Sequence, residues 1–374
     1  MNTFVRWLER LARHAIVYPL LRLFLHNPAV GLPLNITSLH KILILRYDRI
    51  GDIVVTSPIF RLIKKANPQI TLGVLASPSN AELLLHNPYV DRVHVLHSNW
   101  IALARQIVSA HEERYDLVLN FIFNRTTSGG LLANCIAPRG IKIGQGAEKY
   151  RFYFNVLLQL SRGSKHMAEV LGDILTAVFG IPVNKEDLSL EIPIDPEAET
   201  LVGEYLISRG LRSRLKKGKT LNEYVVFNLS ATDAVRRISG EQAQFILSVL
   251  ARELSCNTVV IASPSDEAWR TRVVKNAESR RCWSFPEAGH ARLREIAALV
   301  RGARAVVTPD TAVVHLASAA KTPVLGLFTP LLAITEWMPF KVKHGIVLAE
   351  EGLPVSSIPT DRLRFELKKF LKKG

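Results

Sequence analysis

The stretch from Thr308 to Pro330 constrains the fold more than any other part of the chain. An apolar run ends at Thr308, and after it come the polar turn Pro309-Asp310-Thr311, a short helix of small residues containing His315, and a second apolar run, Val324 to Phe328. Strand, turn, helix and strand in this order form a βαβ unit, which requires a parallel sheet. Ligands bind such sheets outside the carboxyl ends of the strands, where the free N–H groups of the next helix attract phosphate. The turn is therefore a candidate anion site, with Asp310 and Thr311 pointing into it.

The same alternation of short apolar runs and helical stretches occurs twice along the chain. It runs from Lys41 to Phe121, and it restarts at Tyr224 after a Pro-bearing and then basic stretch. Two doubly wound α/β domains are the simplest interpretation. The predicted divisions are an N-terminal extension, a first domain, a linker, a second domain and a tail with a basic helix, at residues 1–36, 37–190, 191–221, 222–345 and 346–374.

Two local features carry more specific predictions. Glycines over residues 140–146 predict a loop. Pro58 is assigned to the first turn of the helix that follows Asp52, where proline is tolerated because its missing N–H has no partner there.

The charge of the chain limits its partners. With 48 basic and 33 acidic residues, the net charge of +15 favours nucleic acid, an anionic membrane or a phosphorylated substrate. Only 7% of the residues are aromatic, and no ribonucleoprotein motif or Cys/His finger is found, so nucleic acid is the weakest of the three. The three cysteines are far apart and form neither a disulfide framework nor a metal site, which indicates a reducing cytoplasm.

Residues 3–25 form an amphipathic pattern, with apolar side chains on one face of a helical wheel and Arg6, Arg10 and Arg13 opposite. The longest uncharged run, Ala15 to Leu21, is too short to span a bilayer. One interpretation is an interfacial helix on an anionic membrane surface, and the other is a helix packed on the protein itself. The interpretation as an interfacial helix places the protein peripherally on the inner face of the cytoplasmic membrane. The basic segment 209–219 is either a solvated loop or a second contact for an anionic partner.

Asp52 is the first candidate for chemistry. It follows Gly51 in the turn after the first strand, so its carboxylate would face the crevice between the domains. A carboxylate there can act as a general base toward a hydroxyl, or it can cap the following helix. Position alone leaves both roles open.

The second constellation lies after the strand that begins at Tyr224. Ser230 and Thr232 supply hydroxyls, and Arg236 and Arg237 supply cations that can hold a diphosphate, although a capped loop with solvated arginines fits equally well. His315 is either structural or a ligand of the neighbouring anion site. No Asp-x-Asp motif occurs, so we expect no metal on a diphosphate and no cofactor, with cations and helix dipoles in its place.

These segments resemble glycosyltransferase family 9, the ADP-heptose:lipopolysaccharide heptosyltransferases and their relatives. The resemblance covers roughly residues 40 to 345 in order and spacing. It is carried by five segments: Leu43–Pro58, Asn87–Asp91, Tyr115–Val118, Ser230–Ile238 and Val307–Pro330. It implies a GT-B fold, in which two Rossmann-like domains face each other across a cleft, and inverting, metal-independent transfer.

The resemblance also implies roles for the matching residues. Asp52 would deprotonate the acceptor hydroxyl. The donor-binding set would be Gly51, Ser230, Thr232, Arg236, Arg237, Asp310, Thr311, Ala312 and His315. Ala312 stands where the family usually has glycine, and Thr329 and Leu331 replace a glycine and a threonine of the family pattern. These departures lie on the donor side.

The function that we predict is transfer of a sugar, heptose from ADP-heptose above all, to a lipopolysaccharide core or related phosphorylated glycolipid. Two alternatives stay open at this point. One is the same fold with a UDP- or GDP-sugar as donor. The other is a non-catalytic scaffold that binds a nucleotide sugar or glycolipid.

Overall fold

Two parallel six-stranded sheets organise the protein in the computed structural model, which describes residues 18–123, 126–212, 223–330 and 334–372. The strand order is β3-β2-β1-β4-β5-β6 in the first sheet and β12-β11-β10-β7-β8-β9 in the second. The strands of the first sheet are β1 Lys41–Leu45, β2 Thr71–Ala76, β3 Arg92–Val95, β4 Leu117–Asn120, β5 Ile141–Gln145 and β6 Val156–Leu158. Those of the second are β7 Tyr224–Asn228, β8 Asn257–Ile261, β9 Cys282–Ser284, β10 Ala305–Pro309, β11 Val324–Phe328 and β12 His344–Leu348.

Helices connect successive strands and cover both faces of each sheet. In the first half they are α1 Tyr18–Phe24, α2 Ile50–Ala66, α3 Trp100–Glu112, α4 Thr126–Ile136 and α5 Met167–Phe179. In the second half they are α6 Pro196–Ser208, α7 Gly240–Ser248, α8 Glu267–Lys275, α9 Leu293–Gly302, α10 Ala312–Ala319, α11 Ile334–Trp337 and α12 Thr360–Lys372. The predicted α/β class with two Rossmann-like domains is confirmed.

The strand orders locate the crevice of each sheet. In the first sheet, β2 lies on one side of β1, and β4, which comes later in the chain, lies on the other side. In the second sheet, β8 and β10 flank β7 in the same way. A ligand crevice opens at such a reversal, outside the carboxyl ends of the strands. Asp52 follows β1, Ser230 follows β7 and Asp310 follows β10, so all three lie at these edges.

The loop predicted over residues 140–146 is wrong. Residues Ile141–Gln145 form the buried strand β5, paired with β4. Glycine is required at position 144 because a Cβ there would lie 2.5 Å from the ring of Phe154. The glycine therefore permits close packing inside a strand and does not mark a turn.

Pro58 also lies elsewhere than predicted, because α2 begins at Ile50 and the proline is in its interior. A proline there leaves the carbonyl of Val54 without its usual helical N–H donor. The hydroxyl of Ser57 donates to that carbonyl at 2.7 Å, and Ser57 Oγ in turn accepts from the backbone N–H of Glu191 at 2.9 Å. Ser57 thus satisfies the carbonyl that the proline leaves without a donor, and it connects α2 to the segment that leads to the second domain.

Both ends of the described chain pack on the sheets. Tyr18 is buried against Phe152 and Tyr153, and Asn27 donates to the side chain of Asn134 at 2.9 Å. At the other end, β12 extends past residue 345, and α12 packs on β12 and α7. Two stretches lie outside the described residues: 1–17, which include most of the helix predicted over residues 3–25, and 213–222, which include most of the basic segment. No helix in the described part of the chain is long and apolar enough to cross a membrane.

The two domains meet where α2 packs against α10. Gly51 makes this approach possible, because a Cβ on it would lie 2.7 Å from Cδ2 of His315 and 3.6 Å from Cα of Ala312. A second contact between the domains lies at the start of α9, where the backbone N–H of Leu293 donates to Glu82 of the first domain at 3.2 Å, and Arg162 of the first domain also binds Glu336 at 2.7 Å. The first turns of α2 and α10 are thereby held face to face.

We expect Gly51→Ala to separate these two helix ends. The buried ring of His315 has little room to move, so the added methyl should displace α10 from α2 and lower both the melting temperature and any ligand affinity of the cleft. Gly203→Ala is the matched control, because nothing lies within 4 Å of a Cβ in the middle of α6. That variant should be about 0.5–1 kcal/mol more stable than the parent. Equal melting temperatures for the two variants would contradict this role of Gly51.

Candidate active site between the two sheets

Arg46, directly after β1, organises the first half of the site. Its guanidinium is completely buried. Nη1 donates to Asp48 Oδ2 at 3.1 Å and to the carbonyl oxygen of Phe121, and Nη2 donates to Asp52 Oδ1 at 3.2 Å. Nε donates to Thr56 Oγ1 at 3.0 Å and to the Asp52 carbonyl at 3.2 Å. The arginine thus fixes the strand end, the turn and the first turn of α2 together.

Asp52 combines both roles that its position predicts. Its Oδ2 accepts from the backbone N–H of Arg49 at 3.1 Å, which caps α2. Its Oδ1 accepts from Arg46, and only 6% of the residue is exposed. A carboxylate offers about four lone-pair sites, so each oxygen retains capacity for a further donor. The carboxylate is oriented by two fixed bonds and can still accept a proton.

Asp48 is a second carboxylate on the same guanidinium. Burial raises its pKa to about 6, with Asp52 adding to the rise and Arg46 opposing it. Its Oδ1 is buried and has no hydrogen-bond partner among the described residues. Arg46 and Asp48 belong to the motif segment Leu43–Pro58, and no separate role was predicted for them. Charged residues directly after a buried strand were the signal that would have drawn attention to them.

The second half of the site is built around Asp310, at the carboxyl end of β10. Arg236 Nη1 binds Asp310 Oδ2 at 3.1 Å, and Asp233 approaches Arg236 Nε at 3.5 Å. Burial raises the pKa of Asp310, while the charges of Arg236 and Arg49 oppose this rise. Arg49 belongs to the first domain, so the two halves of the site interact electrostatically across the cleft.

Thr311 is the N-cap of α10, and its hydroxyl accepts from the N–H of Val313 at 3.3 Å. The side-chain amide of Asn228 donates to Thr311 Oγ1 at 3.1 Å and to Thr308 Oγ1 at 3.0 Å. Sequence reasoning missed Asn228, a buried polar residue at the end of β7.

Ala312 is the first residue of α10 and has no positive φ, so the family's usual glycine is not needed there for backbone conformation.

Not all of the remaining predicted donor residues direct their side chains toward Asp310 and the N-terminus of α10. Ser230 Oγ accepts from the backbone N–H of Ser263 at 2.7 Å, and the side chain of Thr232 is exposed. Arg237 turns to Asp266, at 3.3 Å, and to the carbonyl of Ala231, at 3.0 Å. Arg236 is therefore the arginine of this pair that faces Asp310.

His315 lies at the domain contact, with its Cδ2 edge against Gly51. Burial lowers its pKa to about 4, although the charge of Asp52 acts in the opposite sense. Its Nδ1 is buried and has no hydrogen-bond partner in the described part of the chain. The ring packs edge-on against Trp337 and His166, at centroid distances of 5.8 and 6.4 Å. A neutral imidazole therefore spans the interface beside Asp52.

Two Rossmann-like domains, with a buried carboxylate facing a capped helix N-terminus across the cleft, define a GT-B glycosyltransferase architecture. The chain belongs to glycosyltransferase family 9: the model for "Glycosyltransferase family 9 (heptosyltransferase)" matches residues 104–358. The chain is 22% identical over 294 residues to lipopolysaccharide heptosyltransferase 3 of Escherichia coli, with 74% of this chain and 79% of that protein covered.

Solved structures share the fold. The glycosyl transferase family 9 structure from Veillonella parvula covers 92% of this chain and all of its own, with a TM-score of 0.75 and 18% identity. ADP-heptose lipopolysaccharide heptosyltransferase II of E. coli covers 89% of this chain and 99% of its own, with a TM-score of 0.70 and 18% identity. The family membership predicted from the sequence is confirmed, and the protein is a glycosyltransferase.

Two of the three buried histidines, His166 and His315, have pKa values lowered far enough to predict how stability depends on pH, and burial lowers the pKa of the third, His94, as well. Burial lowers the pKa of His166 to about 3, and the nearby His315 lowers it further. An unfolded histidine binds a proton near pH 6.5, so below that pH the unfolded chain takes up protons that the native protein does not. Stability is therefore complete above pH 6.5 and falls toward pH 4, by about 1.4 kcal/mol per pH unit for each histidine.

Denaturant unfolding between pH 7 and pH 4.5 checks this slope. His315→Gln should reduce the slope by about 1.4 kcal/mol per pH unit, whereas the same change at the exposed His97 should leave the slope unaltered. A slope that is identical in all three proteins would show that the buried imidazoles do not govern acid stability.

Proposed function

We propose that the protein transfers heptose from ADP-heptose to a hydroxyl of a lipopolysaccharide core or a related phosphorylated glycolipid, with inversion and without a metal, at the cytoplasmic face of the membrane. The observation that supports the proposal is the packing of the first turn of α2, which bears Asp52, against the capped N-terminus of α10, where a Cβ on Gly51 would lie 3.6 Å from Cα of Ala312. Two E. coli heptosyltransferase structures of this fold, with TM-scores of 0.63 and 0.62, are described with ADP-2-deoxy-2-fluoro heptose and with ADP.

The reaction is a single displacement at the anomeric carbon. The acceptor oxygen forms a bond to that carbon as the bond from the carbon to the diphosphate oxygen breaks, and the hydroxyl proton passes to Asp52. Attack from the face opposite the leaving group inverts the configuration. The nucleoside diphosphate leaves with the added negative charge, which the N-terminus of α10 and Arg236 stabilise.

The ion pair between Arg236 and Asp310 suggests how the donor binds. A diphosphate is a stronger partner for a guanidinium than one carboxylate, because it offers more charge and more acceptor oxygens. When the diphosphate takes Arg236, the carboxylate of Asp310 becomes available for hydroxyl groups of the donor sugar. The buried hydroxyl of Thr329, which lacks a partner among the described residues, adds a further polar group at the end of β11.

A donor panel tests the sugar specificity. The purified protein is incubated with ADP-heptose, UDP-sugars and GDP-sugars and an extracted glycolipid acceptor, with and without EDTA. Product from ADP-heptose that is unaffected by EDTA supports the proposal. Product from another donor alone, or nucleotide-sugar binding without product, contradicts it.

Asp52→Asn should abolish turnover, by a factor of about 10³ or more, because an amide cannot take the proton. Donor affinity, measured by calorimetry, should change little, since the proposed donor groups other than Gly51 lie in the second domain. The melting temperature checks that Arg46, which retains Asp48 as a partner, still supports the turn. Full activity in this variant would refute the role of Asp52.

Arg236 and Arg237 form a natural pair for testing the donor site. Arg236→Ala should weaken donor binding by roughly 10- to 100-fold, the effect expected for loss of a charge-assisted bond to phosphate. Arg237→Ala should leave donor affinity within about twofold, because that side chain binds Asp266. Equal losses in both variants would place the diphosphate elsewhere in the loop.

A further inference from the structure

Large exposed apolar side chains are concentrated on two helices of the first domain. On α1, Leu23 is 80% and Phe24 is 81% exposed. On α3, Trp100 is 75% exposed, and Ile101 and Val108 are also exposed. The α3 residues lie at positions 1, 2 and 9 of the helix, so they share one face, and the exposed Arg105 lies between them on that face.

Both helices belong to the same layer of the domain. α3 packs against one side of α4, and the 3-10 helix Glu148–Tyr153 packs against α4 as well. Tyr18 of α1 contacts Tyr150 and Phe152 in or next to that 3-10 turn, and its hydroxyl lies 3.0 Å from Thr127 Oγ1 at the start of α4. The outer faces of α1 and α3 thus flank α4 on one side of the first sheet.

This layer reaches the cleft at the edge where Asp52 lies. Helices that follow parallel strands begin at the carboxyl edge of the sheet, and Trp100 begins α3 shortly after β3 ends at Val95. The start of α4 lies at the same edge, and Ser128 Oγ there is 3.2 Å from the hydroxyl of Tyr47, in the turn that carries Asp52. Trp100 and Ile101, at the start of α3, therefore lie at the edge of the first sheet that borders the cleft.

We propose that the outer faces of α1 and α3 together form a lipid-contact surface that seats the first domain on an anionic bilayer. Trp and Phe side chains at the ends of short helices are suited to the headgroup region, and arginines among them attract anionic lipids. The strong positive charge of the chain favours a bilayer over a second copy of the same protein, which would carry equal charge. The proposal rests on the proposed function, because a glycolipid acceptor would then enter the cleft from the membrane beside α3.

Vesicle binding of the full-length protein tests the surface. Vesicles of phosphatidylglycerol and phosphatidylethanolamine are compared with phosphatidylcholine alone by co-sedimentation. The double variant Trp100→Ser, Val108→Ser should bind the anionic vesicles roughly tenfold more weakly, as should Leu23→Ser, Phe24→Ser. Ile207→Ser, an equally exposed apolar residue on α6, is the matched control and should bind within about twofold of the parent.

A second measurement addresses contact directly. Brominated lipids should quench the tryptophan emission of the parent more than that of Trp100→Phe, which keeps the apolar side chain and should still bind. Unchanged vesicle binding in the α3 double variant would overturn the proposal, and so would a dimer in light scattering that this variant dissociates. These vesicles contain no acceptor or donor, so the result is independent of whether the proposed transfer reaction is correct.

Discussion

The buried guanidinium of Arg46 is the interaction on which the site depends. A charge with no exposure to water is tolerated only when its donors are satisfied and its charge is balanced. Here the partners come from the strand end, from the turn through Asp48 and from the first turn of α2. Removing one partner of such a buried pair costs about 3–5 kcal/mol in general, so the conformation of the turn and the position of Asp52 are determined together.

The contact between α2 and α10 brings the carboxyl edges of the two sheets together, so that residues of both domains form one site. Each helix begins at the carboxyl edge of its own sheet, and each presents free N–H groups and a positive dipole end to the cleft. Gly51 lets the two helices approach closely enough for His315 to lie between them. Since burial keeps this imidazole neutral near pH 7, the interface adds no positive charge that would compete with Arg46 for Asp52.

Two arginines of the cleft, Arg46 and Arg236, are each paired with carboxylates of their own domain. Arg46 is shared by two carboxylates, and Arg236 is bound by Asp310 with Asp233 nearby. In the proposed donor complex, the diphosphate would replace Asp310 as the partner of Arg236, so this guanidinium is paired in both states. Asp310 would then need hydroxyl groups of the donor sugar as its new partners.

The sequence by itself indicated the fold class and the neighbourhood of Asp52, the candidate base. Both follow from local signals: alternating apolar runs and helices, and polar turns directly after buried strands. The family followed from the resemblance of five segments to its motifs. The sequence did not reveal the roles of Arg46 and Asn228, the strand β5 or the interior position of Pro58, because each depends on partners far along the chain, such as Phe121 for Arg46 and Phe154 for Gly144.

Only the tertiary structure decided which of two adjacent arginines faces the cleft. Arg236 and Arg237 are equivalent in sequence, but the packing of the loop after β7 directs one to Asp310 and the other to Asp266. In the same way, the structure decided that Asp52 both caps a helix and faces the site, since that outcome depends on the direction of its two oxygens. Local pattern specifies which elements form, whereas the direction of a side chain is set by contacts between residues distant in sequence.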